Sequence, residues 1–444
     1  MDLTKIFHVD YKIKLFKIFL PLMLSQLISQ IQMLIDRIFL GRLDILYMSA
    51  VGNVTTPIWT TMSFVFSLSM GASILISQSV GASDEKLARN YASSLVIFHN
   101  IISVLLFFFW FFFAPFVYKL MGVSDNLMTP CVTYTKIYAP VFIITGLGAA
   151  LNVILQSSGY TKPLVVYGII RSGLNAVLDY LLIFGKFGFP EMGIAGAALA
   201  TTIAEFVGGI YLLIRVIVSR HLFTRPNFFE ILKPKVKLYL NSVKLGIPTA
   251  CEDFFWNLGN LVLIRFLNSI NDYAAGIYSI VFTVEVLAVV IIGSIGNGTV
   301  TLTSEATGAK DLNLFHAIVK TAYKWSAIVS AFTLILVVLF PQQVMSWFTK
   351  DVSVIQSSNI YLLLIGINLF SKSMNIIVGN GIRGYGDTRW MFFTQIFGTV
   401  FVILSGWIFV YKLNLGIIGV FFAILLDEFV RGVINSIRFS KIKF

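Results

Sequence analysis

Residues 21–41 read PLMLSQLISQIQMLIDRIFLG, and this stretch decides how the rest of the chain is interpreted. About 20 apolar residues, rising ~1.5 Å each in a helix, span the hydrocarbon core of a bilayer, so the stretch predicts a transmembrane helix. It carries one acid, Asp36, near its far end. Because an ionisable group inside a membrane-spanning helix is costly, Asp36 predicts a functional site.

The composition extends this interpretation to the whole chain of 444 residues, which is 57% hydrophobic and only 12% charged. Its mean hydropathy is +0.86. These values predict an all-α polytopic membrane protein with no cleavable signal peptide and no soluble domain. The net charge of +12 is expected from loops that contact a lipid bilayer with anionic head groups, and not from nucleic-acid binding.

Apolar segments separated by short polar turns predict twelve transmembrane helices. They cover approximately residues 15–40, 47–80, 91–118, 130–156, 163–186, 192–219, 240–268, 273–307, 317–348, 353–382, 388–412 and 416–438. Lys and Arg are concentrated in the loops on the same side of the membrane as the N-terminus. This predicts that both termini are cytoplasmic. The expected location is the cytoplasmic (inner) membrane of a bacterium.

The two halves of the chain repeat. Residues 71–84 (GASILISQSVGASD) and 298–311 (GTVTLTSEATGAKD) share six identities at an offset of 227 positions, and the same offset places Pro21 on Pro248. After a four-residue deletion, the segment beginning at Gly193 matches the one beginning at Gly416. The repeat predicts two six-helix lobes related by a pseudo-two-fold axis along the membrane normal. The predicted division is 1–219 for the first lobe, 220–239 for a cytoplasmic linker and 240–444 for the second lobe.

An ordered set of short motifs carries a resemblance to a known family. The motifs are Pro21 followed by Asp36, Gly71–Ala82, the GYTKP loop Gly159–Pro163, Asn175 and Asp179 in LNAVLDYLLIFG, GIAGAALAT at Gly193–Thr201, GIP at Gly246–Pro248 and GYGDTR at Gly384–Arg389. This set resembles the multidrug and toxic compound extrusion (MATE) family of the MOP flippase superfamily. The resemblance implies two lobes around a cavity that opens alternately to each side, and export of organic, usually cationic or amphipathic compounds driven by inward Na⁺ or H⁺.

Four polar residues of the first lobe form the predicted cation site. Asn175 and Asp179 are four positions apart and so share a helix face. Counted from the outer ends of their helices, Asp36, Asp179 and Thr201 all lie about 8–14 Å deep. Carboxylate, amide and hydroxyl oxygens at one level are ligands that suit Na⁺, and in families that resemble this one these positions bind Na⁺ or take up a proton. The alternatives are that Asp36 pairs with Arg37 and that Asn175 only hydrogen-bonds across helices.

The coupling ion and the role of the prolines stay open at this point. Two acids in a dry pocket repel each other, so the same carboxylates are also suited to H⁺. Pro21 and Pro248 occupy equivalent positions and are candidate hinges. In the resembling family the first helix is proposed to bend when the acid is protonated, whereas a static kink is the alternative.

The second lobe lacks a copy of the cation site, because the repeat partner of Asp36 is Leu263 and that of Asp179 is not acidic. Its candidate substrate contacts or second proton carriers are Glu252 and Glu285. Glu205 and Glu428 are repeat equivalents, and we expect structural pairs with Arg171 and Arg431. Further candidates for contact with flat, bulky cations are the polar, aromatic and Met residues, namely Gln32, Met33, Trp59, Met62, Trp256 and Asn257.

The sequence therefore predicts a cation-coupled secondary antiporter that exports amphipathic, cationic organic compounds, and not an enzyme. No cofactor is expected besides Na⁺ or H⁺ as the coupling ion, and a monomer is expected. One alternative is a lipid-linked oligosaccharide or lipid flippase of the same superfamily. An alternative from another class is a membrane-embedded transferase, for which clustered catalytic His and Asp residues are missing.

Overall fold

A computed structural model describes residues 10–43, 45–219, 222–271, 273–347 and 352–444, and the regular structure in these ranges is helical. The first seven helices are α1 (Tyr11–Leu43), α2 (Ile45–Gly81), α3 (Glu85–Leu120), α4 (Asp125–Tyr138), α5 (Val141–Ser157), α6 (Lys162–Phe184) and α7 (Ile194–Val218). They are followed by α8 (Phe228–Ile231), α9 (Val236–Ile270), α10 (Ala274–Gly308), α11 (Leu312–Leu339), α12 (Pro341–Ser346), α13 (Val352–Ser357), α14 (Asn359–Tyr385), α15 (Thr388–Trp407) and α16 (Gly416–Ser440).

Most of these helices have the length and composition of membrane spans. Within the described residues, nine are long and apolar enough to cross a membrane, and ten if α4 and α5, which bend by 48°, count as one span. This confirms the all-α class that the composition predicts. The number twelve stays a prediction.

The chain divides into two compact units. Within the described residues, the first comprises 20–244, and the second comprises 10–19 and 245–444. The described part of 4–19 packs within the second unit, where Leu15 and Phe19 lie over Gly298 and Lys14 forms an ion pair with Glu305. The lobe and linker bounds proposed from the repeat stay predictions.

The turn between α2 and α3 has a counterpart in the second unit. Asp84 caps α3 by accepting a hydrogen bond from the backbone N–H three residues on at 2.8 Å, and Asp311 caps α11 in the same way at 2.9 Å. The preceding residues, Ser83 and Lys310, both have φ of 56°. The two aspartates that the repeat keeps thus have a local cause, because each satisfies free N–H groups at a helix start.

A close helix crossing is also repeated. At Gly196 in α7, a Cβ atom would lie 2.6 Å from the carbonyl oxygen of Leu182 in α6. Gly419, the repeat equivalent of Gly196, would place a Cβ 3.0 Å from Cβ of Phe409, the repeat equivalent of Leu182. Only a residue without a side chain permits this approach, which brings α6 and α7 together beside the residues described below.

We expect Gly196→Ala to destabilise the protein by about 1–3 kcal/mol, because backbone atoms of α6 must move to make room for the methyl group. The measurement is thermal unfolding of the purified protein in detergent. Gly148→Ala in α5 is the matched control, since a Cβ there meets nothing within 4 Å. Equal unfolding temperatures for the two variants would contradict the close crossing.

Candidate functional site

The first unit brings two acids together. The carboxyl groups of Asp36 on α1 and Asp179 on α6 lie within hydrogen-bonding range of each other. Asp179 is 1% exposed. One oxygen of each carboxyl group is buried and has no hydrogen-bond partner among the described residues. A buried acid and a half-buried acid with spare, buried oxygen atoms form a place where a small positive ion is favoured.

Amide and hydroxyl groups surround these acids. Gln32 donates from Nε2 to Oδ1 of Asn175 at 2.7 Å, and Asn175 donates from Nδ2 to the hydroxyl of Thr201 at 3.3 Å. Ser172 donates to Oε1 of Gln32 at 2.8 Å. The four predicted cation ligands, Asp36, Asn175, Asp179 and Thr201, are thereby brought to one place by α1, α6 and α7.

Gln32 fills the space between α1 and α6. The sequence predicts it as a substrate contact, but the structure places it among the predicted cation ligands, where it is 7% exposed. It lies four residues before Asp36, so a helix puts both on the same face. That spacing was visible in the sequence and identifies Gln32 as part of the same group of residues.

Tyr134 is a member of this group that sequence reasoning missed. Its side chain, on α4, is buried and lies beside that of Thr201. Nothing in the spacing of α4 relative to α1, α6 and α7 identifies it, because only the packing of α4 against α7 brings the two side chains together.

An ion pair lies next to the acids. Arg171 donates from Nη1 to Glu205 at 2.7 Å and from Nη2 to the hydroxyl of Ser29 at 2.6 Å. Glu205 also accepts a hydrogen bond from Tyr167 at 3.0 Å. The predicted pair between Glu205 and Arg171 is confirmed, and Arg171 is near enough to Asp36 to act on it electrostatically.

Two alternative roles were considered for the site residues, a pair between Asp36 and Arg37 and a purely structural hydrogen bond for Asn175. The carboxyl group of Asp36 is directed at Asp179, and the side chain of Arg37 lies outside the described residues. Asn175 does hydrogen-bond across helices, to Gln32 and Thr201. Those bonds fix the orientation of its amide group beside the two acids, so they are compatible with a ligand role as well as with a packing role.

The second unit holds a larger network of buried charges. Glu285 pairs with Lys372 at 2.7 Å, and Glu252 pairs with Arg383. Glu428 lies between two cations, 3.9 Å from Lys372 and 3.4 Å from Arg431. The predicted pair between Glu428 and Arg431 is confirmed.

The remaining candidate substrate contacts differ in exposure. Trp59 is 65% exposed and Met33 43%, whereas Met62 is 6% exposed and accepts a hydrogen bond from Tyr138 through its sulfur atom. Trp256 is 40% exposed, and Asn257, also exposed, donates its side-chain amide to the carbonyl oxygen of Asp253 at 2.7 Å. Pro21 and Pro248 lie inside α1 and α9.

The helices that carry the two acids have equivalents in the second unit that also cross closely, but the residues at the crossing are different. Leu263 and Gly406, the repeat equivalents of Asp36 and Asp179, also lie together, since a Cβ at Gly406 would be 3.1 Å from Cδ2 of Leu263. Arg171 corresponds to Gly398, and the space over Gly398 is filled by the side chain of Arg431 from α16. A buried Glu–Arg pair is therefore present in both units, although the arginine comes from a different helix.

Comparison with known proteins agrees with this duplication. The family model MatE matches residues 21–181 and again residues 248–408, two segments of equal length offset by 227 positions. The probable multidrug resistance protein NorM of Thermotoga maritima is 28% identical over 96% of this chain and 91% of its own length. A MATE protein solved in a bent conformation aligns with a TM-score of 0.90 at 19% identity, covering 99% of this chain and 98% of that one. A MATE structure in the straight conformation aligns with a TM-score of 0.91 at 20% identity, covering 99% of this chain and 98% of that one.

We expect Arg171→Met to lower the free energy of unfolding by about 3 kcal/mol, because it leaves Glu205 without its buried cation. The double variant Arg171→Met/Glu205→Gln should recover most of that loss. Thermal unfolding in detergent measures both. Arg265→Met, at an exposed position on α9, is the matched control and should change stability by about 0.5 kcal/mol or less. Additive losses in the double variant would contradict the pairing.

Proposed function

From the MatE family, to which this chain belongs, and from the contact between Asp36 and Asp179, we propose that the protein is a cation-coupled antiporter. In this proposal it exports amphipathic, cationic organic compounds by alternating access. The observation that carries the proposal is the meeting of two acids from separate helices in the interior of a multi-pass membrane protein.

The physical basis of coupling is the mutual repulsion of the two acids. Two bare carboxylates in a buried site cannot stay in contact, so the pair needs either a shared proton or a bridging cation. The amide oxygen of Asn175 and the hydroxyl of Thr201 supply further oxygen atoms, as Na⁺ prefers. Inward movement of Na⁺ or H⁺ to this site would therefore stabilise the arrangement of α1, α6 and α7 that the structure has.

Transport then requires that ion and substrate favour different conformations. An ion can shift a conformational equilibrium only by its difference in affinity for the two states. When the ion leaves, repulsion between Asp36 and Asp179 would separate α1 from α6. Pro21 supports this proposal, because a proline inside a helix removes one backbone hydrogen bond and lowers the cost of bending. The solved MATE structures that align with this chain include one in a bent and one in a straight conformation.

The setting of the proposed reaction follows from the chain. It would act as a monomer in the cytoplasmic membrane of a bacterium. Both termini would lie in the cytoplasm, as the distribution of Lys and Arg predicts. Na⁺ or H⁺ would enter the cell as the substrate leaves it.

We expect wild-type protein in proteoliposomes to move ethidium only when an inward Na⁺ or H⁺ gradient is imposed. The gradient that drives transport identifies the coupling ion. Asp36→Asn and Asp179→Asn should reduce the gradient-driven rate to near that of protein-free liposomes, because either change removes one of the two repelling charges. Ethidium fluorescence with encapsulated DNA measures the rate.

The control for these variants is Asp125→Asn, an exposed acid at the start of α4, which should transport as wild type does. Gradient-independent ethidium movement by the wild-type protein would overturn the antiporter proposal. Gradient-driven transport by Asp36→Asn at the wild-type rate would remove the site while leaving the antiporter proposal in place.

We expect Pro21→Ala to lower the gradient-driven rate about tenfold while ethidium binding at equilibrium is unchanged, because a restored backbone hydrogen bond opposes bending of α1. Pro115→Ala, at an exposed proline inside α3, is the matched control. Equal rates for Pro21→Ala and wild type would favour a static kink.

A further inference from the structure

Residues 228–240, which comprise α8 and the start of α9, carry a stripe of exposed apolar side chains. Phe229, Leu232, Val236 and Leu240 follow one another at intervals of three or four residues, and each is 51–73% exposed. Contact between water and a continuous apolar stripe is unfavourable. The stripe therefore indicates a surface of the 228–240 segment that an apolar phase covers.

The opposite side of the 228–240 segment is held against α3. Glu230 forms an ion pair with Arg89 at 3.5 Å. Further along the segment, the backbone N–H of Lys235 donates to the hydroxyl of Ser94 at 3.0 Å. Both partners belong to α3, so the segment follows this helix over at least one turn.

Tyr239 makes the third contact with α3. Its ring stacks on that of Phe98 with the centroids 4.7 Å apart, and its hydroxyl is hydrogen-bonded to Nδ1 of His99 at 3.2 Å. The other ring nitrogen of His99 is hydrogen-bonded to Ser69 on α2 at 2.8 Å. The segment is thus fixed to the first unit at three levels, and these contacts determine which of its sides faces outward.

Three lysines accompany the apolar stripe on the outward side. Lys233, Lys235 and Lys237 are exposed, whereas the only acid of the segment, Glu230, faces Arg89. A membrane leaflet with anionic head groups complements such a surface, because apolar side chains enter the acyl region while lysines extend to the phosphate groups. Charge and hydropathy therefore favour the same occupant.

The apolar stripe continues along α9. Ile247, Phe254 and Leu261 follow Leu240 at intervals of seven residues, close to two helical turns, and all three are exposed. The hydropathy pattern predicts that α9 enters the membrane near residue 240. The outward side of the segment is thus continuous with the exposed side of a predicted membrane helix, which argues for lipid as its occupant.

We propose that the 228–240 segment lies in the head-group region of the bilayer and binds anionic lipid through Lys233, Lys235 and Lys237. Its apolar stripe contacts the upper part of the acyl chains. Because the segment is fixed to α3, lipid bound there holds α3 at a defined level of the membrane. This role is separate from ion coupling and from the transported compound.

The position of the segment is tested by fluorescence quenching in lipid nanodiscs. Leu232→Cys is labelled with the fluorophore NBD in a Cys251→Ser background, in which the remaining cysteine, Cys131, is buried. A lipid with a nitroxide on the upper part of its acyl chain should quench this label strongly, and aqueous iodide should quench it weakly. Ala82→Cys, at an exposed turn seven residues before Arg89, is the matched control and should show the reverse.

Two results would overturn the proposed position. Quenching of the Leu232→Cys label by iodide and not by the lipid nitroxide would place the segment in water. A label that neither quencher reaches would show that the stripe is covered by protein. Thermal unfolding in detergent verifies that the labelled variants are folded.

A second experiment tests the head-group preference. Nitroxide-labelled phosphatidylglycerol should quench the Leu232→Cys label at least about threefold more than nitroxide-labelled phosphatidylcholine at the same molar fraction, because each lysine near the surface attracts anionic lipid. Lys233→Gln/Lys235→Gln/Lys237→Gln should bring this ratio close to one.

The matched control is Lys310→Gln/Lys441→Gln/Lys443→Gln, which removes three charges at exposed positions of the second unit and should keep the ratio. Equal losses of the ratio in the two triple variants would show a preference of the whole surface, and would overturn binding by the segment. Both experiments use neither an ion gradient nor a transported compound, so their results are independent of the antiporter proposal.

Discussion

The structure depends on one constraint, which is that a charge inside an apolar helix bundle must find a compensating partner within that bundle. Most acids of the two networks obey it through a basic partner. Glu205 has Arg171, and Glu285 has Lys372. Asp36 and Asp179 differ, because their carboxyl groups face each other, and Arg171, the base that acts on Asp36, is already paired with Glu205. Since Arg171 already compensates Glu205, full compensation of the two acids needs an ion from outside, and this exception supports the proposed role of the first unit.

The two units show how a duplicated arrangement can diverge. The close crossings at Gly196 and Gly419 and the capped turns at Asp84 and Asp311 are the same in both. These features belong to the scaffold, and their presence in both halves does not by itself identify a functional site. The positions that differ include those of the candidate cation site, whose acid and amide groups are replaced by Leu263, Val402 and Gly259. One half keeps a compact set of oxygen atoms, and the other does not.

The fold and most of the candidate site could be predicted from the chain alone, for reasons that are physical. Helix length follows from hydropathy, and depth in a helix follows from residue counting, so the level shared by Asp36, Asp179 and Thr201 was predictable. The pairs of Glu205 and Glu428 followed from the repeat. What could not be predicted was the lateral packing of helices. Tyr134 joins Thr201 only because α4 packs on α7, and the partner of Glu285 is Lys372, on a helix that is not adjacent in sequence.

Arg431, whose side chain covers Gly398, has a consequence for the study of duplicated proteins. A long guanidinium side chain can reach the same point in space from either of two neighbouring helices, provided that the other helix leaves room. Selection that preserves a charge at that point therefore does not preserve the codon that encodes it. Ancestral reconstruction of such halves should therefore compare charges by their location in the folded chain. A position-by-position comparison would report a cation as lost when a residue on a neighbouring helix supplies it.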